Sequence, residues 1–146
     1  MAAAGDWWTL LIVRDAFAGL SRFGEFQTSL GIARNILADR LAALTAEGIL
    51  AREGTAARPR YVLTRKGREL MPALVALMQW GDKWQSANRP PVLLSTDGGE
   101  ALAPVQVVTR AGKAVNDVRF SPGPGANGRT RRFFEGRAKG DQSRLS

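Results

Sequence analysis

The sequence predicts a mainly α (α+β) fold, built from three helices, a two-stranded hairpin and a fourth helix. Three observations predict it. The stretch from Ser29 to Leu50 has apolar residues at helical spacing on one face and small or polar residues on the other. A glycine follows each of three apolar helical segments, at Gly19, Gly31 and Gly48. Two short β-like runs then flank a loop of glycine, alanine and proline.

Composition and charge limit what the chain can do. Its 146 residues carry a formal net charge of +8, which favours a polyanionic partner. The chain contains neither cysteine nor histidine, so thiol nucleophiles, imidazole bases and the usual zinc ligands are missing. Its carboxylates form no convincing acid/base pair and no glycine-rich phosphate loop precedes a helix, so we expect no enzyme, metal or cofactor. No apolar run reaches about 18 residues, so we expect a cytoplasmic protein without a membrane span.

The first two helices are predicted from their ends. Asp6 can cap the first helix, which stops at Gly19. This helix is apolar on nearly every side, which indicates that it is buried on several sides. Ser21 can cap a short second helix that ends at Gly31. Its apolar residues recur at helical spacing: Phe23, Phe26 and Leu30.

The third helix has two distinct faces and ends before Gly48. The apolar face consists of Ile36, Leu37, Leu41 and Leu44. The opposite face consists of Asn35, Ala38, Asp39 and Ala42, with Arg34 at its margin. One side of such a helix can anchor it to a core while the other contacts a partner.

A hairpin and a fourth helix follow. Arg52 lies on the incoming strand, and Arg58 and Arg60 lie in the loop segment. The outgoing strand is expected to bury one face, formed by Tyr61 and Leu63.

Thr64 can cap the fourth helix, and Pro72 is expected to kink it or split it near Leu70. Its apolar stripe is Leu70, Leu74, Leu77, Gly81 and Trp84.

The composition changes after residue 88. Glycine and proline interrupt the β-like runs VLL, VQVV and VRF, which predicts a small β-like appendage over residues 89–120. Residues 121–146 are poor in aliphatic side chains and rich in glycine and arginine, which predicts a disordered basic tail. The helices and hairpin then form a first domain over residues 1–88.

Three helices followed by a basic hairpin is the order of a winged helix-turn-helix. The third helix fits the major groove of duplex DNA, where base edges carry a complete donor/acceptor code, and the hairpin can lie as a wing on flanking phosphate or in the minor groove. Arg22, at the start of the second helix, can meet a phosphate near a helix N-terminus. The predicted DNA-binding residues are Arg22, Arg34, Asn35, Asp39, Arg40, Arg58 and Arg60.

These side chains allow different contacts. Asn35 can bond an adenine edge, and Arg34 a guanine edge or a phosphate. Asp39 either accepts from a cytosine amino group or repels phosphate and so sets the register. Arg40 falls toward the apolar side of its helix, where it either pairs with a carboxylate such as Glu25 or contacts a phosphate.

Four segments carry a resemblance to a known family: GDWWTLLIVRDAFAG, RFGEFQTSLGIARNILADRL, GIL and YVLTRKGRELMPALVALMQWGDKW. In this order, over about residues 5–86, they resemble the HxlR family of bacterial winged-helix transcriptional regulators, within the MarR-like group. The resemblance implies a homodimer held by the first and last helices on a two-fold symmetric operator, with Arg34 to Arg40 in the recognition helix and Arg52 to Tyr61 in the wing. The corresponding dimer-interface residues are Trp7, Trp8, Leu11, Leu74, Leu77, Trp80 and Trp84.

The chain departs from the family in two respects. Family members commonly carry a cysteine before the first helix, which in some serves as a sensor; without one, this chain cannot sense through a thiol. The wing segment GTAARPRY is also shorter than in many members. The appendage resembles a zinc-ribbon-like module with CxxCG knuckles, but Val108 and Ala111 stand where one cysteine pair would be, and Asp97 or Gly98 where an earlier ligand would be. We therefore expect it to be metal-free, held by its apolar runs or loose.

Three alternatives stay open. Trp80 and Trp84 fit a dimer stripe or, instead, the wall of a small-molecule effector pocket. The runner-up function is a protein-interaction module on a winged-helix scaffold that no longer reads DNA, which Asp39 on the reading face and the metal-free appendage indicate. A third hypothesis is nonspecific nucleic-acid binding through the arginine-rich segment RTRRFFEGR.

Overall fold

The structure is a computed structural model that describes residues 7–86, 89 and 91–142, with side chains described as far as Glu135. The chain divides into two compact units, Met1–Val105 (unit 1) and Gln106–Ser146 (unit 2). The elements are α1 Trp7–Phe17, α2 Phe23–Leu30, α3 Arg34–Ala46, β1 Leu50–Thr55, β2 Arg58–Leu63, α4 Arg65–Arg68, α5 Met71–Trp84 and α6 Gly128–Gln142. Up to α5 this is the predicted winged helix-turn-helix order. Asp6, the predicted cap of α1, lies outside the described residues.

The core of unit 1 is built by α1, α2, α3 and the start of β1. Its largest fully buried side chains are Phe26, Ile12, Leu37, Leu41, Leu44, Leu50 and Val13. Ile36, predicted on the buried face of α3, is instead 37% exposed. The reason is geometric: Leu37, Leu41 and Leu44 recur at the spacing of one helical face, and Ile36 is rotated about 100° from Leu37.

The ends of the helices follow the predicted glycines, with one correction at a cap. Gly31 (φ 59°) is the left-handed C-cap of α2, and Gly48 (φ 69°) follows α3. The N-cap of α2 is Arg22, not Ser21. The Glu25 carboxylate caps this helix start, because its Oε2 accepts backbone N–H bonds of 2.8 Å from both Ser21 and Arg22.

The hairpin is tighter than predicted. Its antiparallel register pairs Leu50 with Leu63 and Thr55 with Arg58, so only residues 56 and 57 form the turn. Tyr61 and Leu63 are half-buried and pack against the core, as predicted.

The fourth predicted helix is split, as Pro72 indicated. Thr64 caps α4: its Oγ1 accepts from the Gly67 N–H at 3.1 Å and donates to the Gly48 carbonyl at 2.6 Å. The chain then starts α5 afresh, with Pro72 in its first turn.

The described residues between 89 and 120 do not form the predicted β-like unit. In the described part of this range only two isolated bridges form, Ser95–Ala101 in unit 1 and Val108–Ala114 in unit 2. Both enclose the same kind of turn, closed by a threonine hydroxyl that accepts a backbone N–H four residues on, at Thr96 and Thr109. The apolar runs do not pack into a core, since these side chains are exposed: Val105, Val107, Val108, Val118 and Phe120.

The segment before residue 106 belongs to unit 1, not to a separate appendage. The Gln79 side chain on α5 donates to the Ala103 carbonyl at 3.0 Å and accepts from the Val105 N–H at 2.7 Å. The predicted division of the appendage at 88 and 120 is therefore not the division into compact units that the structure has, which falls at 105.

The disordered tail predicted from residue 121 is also a helix over much of its length. Asn127 Oδ1 accepts from the Thr130 N–H at 2.9 Å, and the Arg131 Nε donates to the Ala126 carbonyl at 3.1 Å. The Asn127 bond satisfies one N–H group that the first turn of α6 leaves open, a local signal that composition alone did not reveal. In the described part of the chain, no helix is both long and apolar enough to cross a bilayer.

Candidate nucleic-acid interface

The outer face of α3 is free of the core. Leu37, Leu41 and Leu44 are fully buried, which fixes the orientation of the helix. The residues predicted to read DNA lie on its exposed side: Arg34, Asn35, Ala38, Asp39 and Ala42. The N-cap of α3 is Ala33, whose side chain accepts no hydrogen bond from the first-turn N–H groups. The helix thus presents small and polar groups that allow close approach of a partner.

Three of the predicted arginines converge on the first turn of α2. Arg22 is the N-cap of that helix. The Arg34 guanidinium lies over the Phe23 ring, with its Cζ 5.1 Å from the ring centroid. Arg60 precedes Tyr61, whose N–H donates to the Ser21 carbonyl at 2.7 Å. That hydrogen bond fixes the wing against the start of α2.

The electrostatics of Glu25 support this arrangement. The pKa of Glu25 is lowered, first by the N–H bonds from Ser21 and Arg22, and further by the positive charges of Arg22 and Arg60. Arg22 and Arg60 therefore lie in the same electrostatic neighbourhood, although 37 residues separate them in sequence.

Arg58 and Arg60 lie at different places on the wing. Arg58 begins β2 next to the turn, and its N–H donates to Thr55 Oγ1 at 3.2 Å. Arg60 pairs across the hairpin with Glu53 in the register. Both side chains are exposed, as is Arg52 on β1. The wing thus carries basic residues at its tip and along its length, which suits contact with phosphate.

Arg40 is half-buried on α3, unlike the other residues predicted to contact DNA. Glu25, whose carboxylate is the predicted alternative partner of Arg40, accepts N–H bonds from Ser21 and Arg22 through its Oε2.

An apolar face outside the core covers parts of α1 and α5. Trp7, Leu77, Trp80 and Trp84 are 69%, 49%, 57% and 66% exposed. Leu11 is half-buried and Leu74 is buried at the bottom of a groove that both helices line. Trp8, predicted at the dimer interface, is half-buried and packs against the core of unit 1.

The groove between α1 and α5 has a volume of about 250 Å³. Two charged residues line it, Arg14 and Asp82, and Arg14 is held by an ion pair of 2.7 Å with the buried Asp15. The volume is below the range of about 300–1,000 Å³ that is usual for small-molecule sites. Trp80, one of the residues considered for an effector pocket, is not among its lining residues, and neither is Trp84.

Sequence reasoning named Glu25 only as a possible partner of Arg40, and missed both its capping role at the start of α2 and the contact between Tyr61 and Ser21. Glu25 had a readable signal, because a glutamate three residues after an N-cap is half of a capping box. The Tyr61 bond had none, because it joins residues 40 positions apart through the tertiary fold.

Comparison with known proteins gives a consistent result. A family model described as HxlR-like helix-turn-helix matches residues 3–89. An uncharacterised HTH-type transcriptional regulator of Mycobacterium tuberculosis is 39% identical over 126 residues, which cover 83% of this chain and 80% of that protein.

Two solved structures are similar over most of the chain. PA1607, described as a candidate transcription factor, has a TM-score of 0.73 at 43% identity, covering 82% of this chain and 89% of that one. PA1374 from Pseudomonas aeruginosa, described in the same way, has a TM-score of 0.63 at 33% identity, covering 89% and 93%.

Proposed function

The chain belongs to the HxlR-like helix-turn-helix family of transcriptional regulators, and we propose that it binds a two-fold symmetric DNA operator as a homodimer. In this proposal α3 lies in the major groove, and the wing lies on flanking backbone or in the minor groove. The observation that supports it most directly is the convergence of Arg22, Arg34 and Arg60 on the first turn of α2. A phosphate beside that turn meets several positive charges that the fold already holds together.

The proposed contacts are of two kinds, phosphate contacts that supply affinity and base contacts that supply sequence specificity. Arg22, Arg58 and Arg60 bind phosphates, because all three are exposed and sit at the helix start or on the wing. Asn35 bonds an adenine edge, and Asp39 accepts from a cytosine amino group or excludes phosphate from its side of the helix.

Arg34 and Arg40 have more specific roles in the proposal. Stacking on Phe23 restricts Arg34 while leaving its guanidinium donors available for a guanine edge or a phosphate. Arg40 is half-buried, so we assign it to holding α3 at its angle to the core and not to a base contact.

The homodimer is supported by the exposed aromatic residues of α1 and α5. Trp7, Trp80 and Trp84 are each more than half exposed on α1 and α5, and exposed apolar patches mark interaction sites. We assign the face to a second copy and not to an effector, because the groove is small and Trp80 and Trp84 do not line it.

The test is selection of duplex DNA from a random pool by the purified protein. We expect an enriched palindrome whose half-sites are about 10 bp apart, or a multiple of that spacing. Absence of any enriched sequence overturns the proposal and favours a protein-interaction module, for which the exposed Asp39 on the reading face is the supporting observation.

Replacement of one reading residue sharpens this test. Asn35→Ala is expected to relax selection at one base position in each half-site, with a loss of about 1–3 kcal/mol of discrimination there. Thr28→Ala, an exposed polar side chain on α2, is the control and should leave every position as selective as before. Equal selectivity of the Asn35 variant and the native protein at all positions removes Asn35 from the reading set.

A further inference from the structure

The net positive charge of the chain is concentrated in unit 2. Unit 2, residues 106–146, contains nine basic and three acidic residues, a net charge of +6. Unit 1, residues 1–105, contains twelve basic and ten acidic residues, a net charge of only +2. Most of the net charge, which favours a polyanionic partner, therefore lies in the smaller unit, which the family match over residues 3–89 does not include.

The helix α6 presents much of this charge on an ordered element. Asn127 caps its first turn, and one donor of Arg131 is used by the Ala126 carbonyl. Arg129 and Arg132 are exposed, and neither forms an ion pair with a residue that the structure describes. These two guanidinium groups are the ones most available to an outside anion.

A second basic site of unit 2 is the turn that Thr109 closes. Gly112, at φ 78°, allows the chain to reverse there, and the Thr109 N–H donates to the Lys113 carbonyl at 2.9 Å. Arg110 and Lys113 are exposed on this turn. Unit 2 thus carries exposed cations on two separate ordered elements.

Several anionic partners are conceivable, and the composition of α6 chooses among them. Only three of its 15 residues are apolar, Phe133, Phe134 and Ala138. An interfacial membrane helix needs a broad apolar face, which this helix lacks. A duplex needs only cations that approach phosphates, which α6 supplies.

We propose that unit 2 is a second, sequence-independent DNA-binding element that contacts phosphates of the duplex beside the operator. This inference rests on the proposed function, which brings duplex DNA to the same chain. In the proposed function, unit 1 contacts bases with few side chains and has a small net charge, which limits its affinity for DNA. A tethered basic unit makes the second contact intramolecular and raises the overall affinity without any further base contact.

The experiment measures binding of the full chain to a random-sequence duplex of about 40 bp as a function of salt concentration, with the native protein and Arg129→Gln/Arg132→Gln. Each phosphate contact adds about 0.9 to the slope of log affinity against log salt, so the slope should fall by about 1.8 for each protomer that engages the duplex. For one engaged protomer, raising the salt from 50 to 200 mM should therefore weaken binding of the variant by a factor roughly tenfold smaller than for the native protein. An unchanged slope overturns the inference.

Two further variants separate the causes. Glu135→Gln removes an acidic charge from the same helix, so it should bind the duplex at least as tightly as the native protein. If it instead weakens binding as much as the arginine variant does, the effect is one of helix structure and the inference fails. Asn35→Ala in α3 reports on unit 1: we expect this variant to lose operator preference and the α6 variant to keep it, because, of the residues changed in these two variants, only Asn35 is assigned to a base contact.

The arms also distinguish this inference from the proposed function. If selection finds no operator but the α6 variant still lowers the slope on random duplex, the proposed function fails and unit 2 remains a DNA-binding element. If the operator is found but the slope does not change, only the inference fails. The same variant is also tested for binding to polyuridine RNA and to phosphatidylserine vesicles. If the α6 variant binds either of these more weakly but binds the duplex as the native protein does, the choice of DNA as the partner is wrong.

Discussion

At the scale of single residues, Glu25 couples the stability of α2 to the basic cluster beside it. Its Oε2 accepts N–H bonds from Ser21 and Arg22, which satisfies donors that the helix start leaves open. The same carboxylate lies in the field of Arg22 and Arg60. One acidic residue therefore helps to hold together the cations that we propose meet DNA phosphate.

The pH dependence of stability tests this role. The pKa of Glu25 is lowered in the folded protein from 4.5, so its contribution is fully present above the unfolded pKa and is lost as pH falls through the lower folded value. We expect native protein to have a higher free energy of unfolding than Glu25→Gln at pH 7. The difference should shrink as the pH is lowered below about 4.5.

Denaturant unfolding of both proteins across a pH series measures it. Glu69→Gln is the control, because Glu69 makes only an exposed ion pair of 3.4 Å with Arg65 and should change stability little. A native advantage over Glu25→Gln that stays constant down to low pH contradicts the capping role of the carboxylate.

At the scale of elements, the wing depends on the backbone of Gly54. This residue has φ 83°, and a Cβ built there would lie 2.6 Å from the Arg58 carbonyl oxygen. Any side chain thus meets a rigid backbone group as well as an unfavourable φ. The close approach lets β1 and β2 pair up to residues 55 and 58, which places Arg58 beside the turn.

Gly54→Ala is therefore expected to damage the wing. We expect the free energy of unfolding to fall by about 1–3 kcal/mol, together with weaker DNA binding because Arg58 and Arg60 are displaced. Gly24→Ala is the matched control for stability, since a Cβ there meets nothing within 4 Å and alanine favours the helix. Denaturant unfolding and DNA titration measure both effects. Equal stability of the two variants shows that the wing can adjust to a side chain.

The elements that sequence predicted were those fixed by local chemistry. Thr64 and Pro72 gave the start of α4 and its separation from α5, because a cap and a missing N–H act within one turn. The bonds from Gln79 to residues 103 and 105 could not be predicted, since they join distant parts of the chain. The helix α6 did have a local signal in Asn127, but its glycine- and arginine-rich composition indicated disorder instead.

The candidate site also has a part that local sequence predicted and a part that it did not. The exposed face of α3 followed from helical periodicity, and its residues are where the sequence placed them. The gathering of Arg22, Arg34 and Arg60 around α2 did not follow, because the Tyr61–Ser21 hydrogen bond and the Phe23 stacking depend on the folded arrangement.

At the scale of the whole molecule, the two units differ in what they leave exposed. Unit 2 carries most of the net charge, whereas unit 1 leaves Trp7, Trp80 and Trp84 uncovered on α1 and α5. Exposed aromatic side chains are costly in water, so a second protomer that covers them gains apolar burial. In an isologous dimer the same patch serves both subunits, so each substitution in it acts twice.

Leu77→Asp is expected to convert the proposed dimer into a folded monomer. Leu77 is 49% exposed and lines the groove, so aspartate is tolerated in one protomer but would be buried twice without a partner charge in the dimer. Val108→Asp, at a valine 53% exposed in unit 2, is the control and should stay dimeric. Sedimentation equilibrium over a range of concentrations gives the mass, and circular dichroism confirms the fold. A native protein that sediments as a monomer, or a Leu77 variant that remains dimeric, rules out this face as the interface. Because two recognition helices must reach adjacent half-sites together, the monomeric variant should also lose the preference for paired half-sites while still binding a single one weakly.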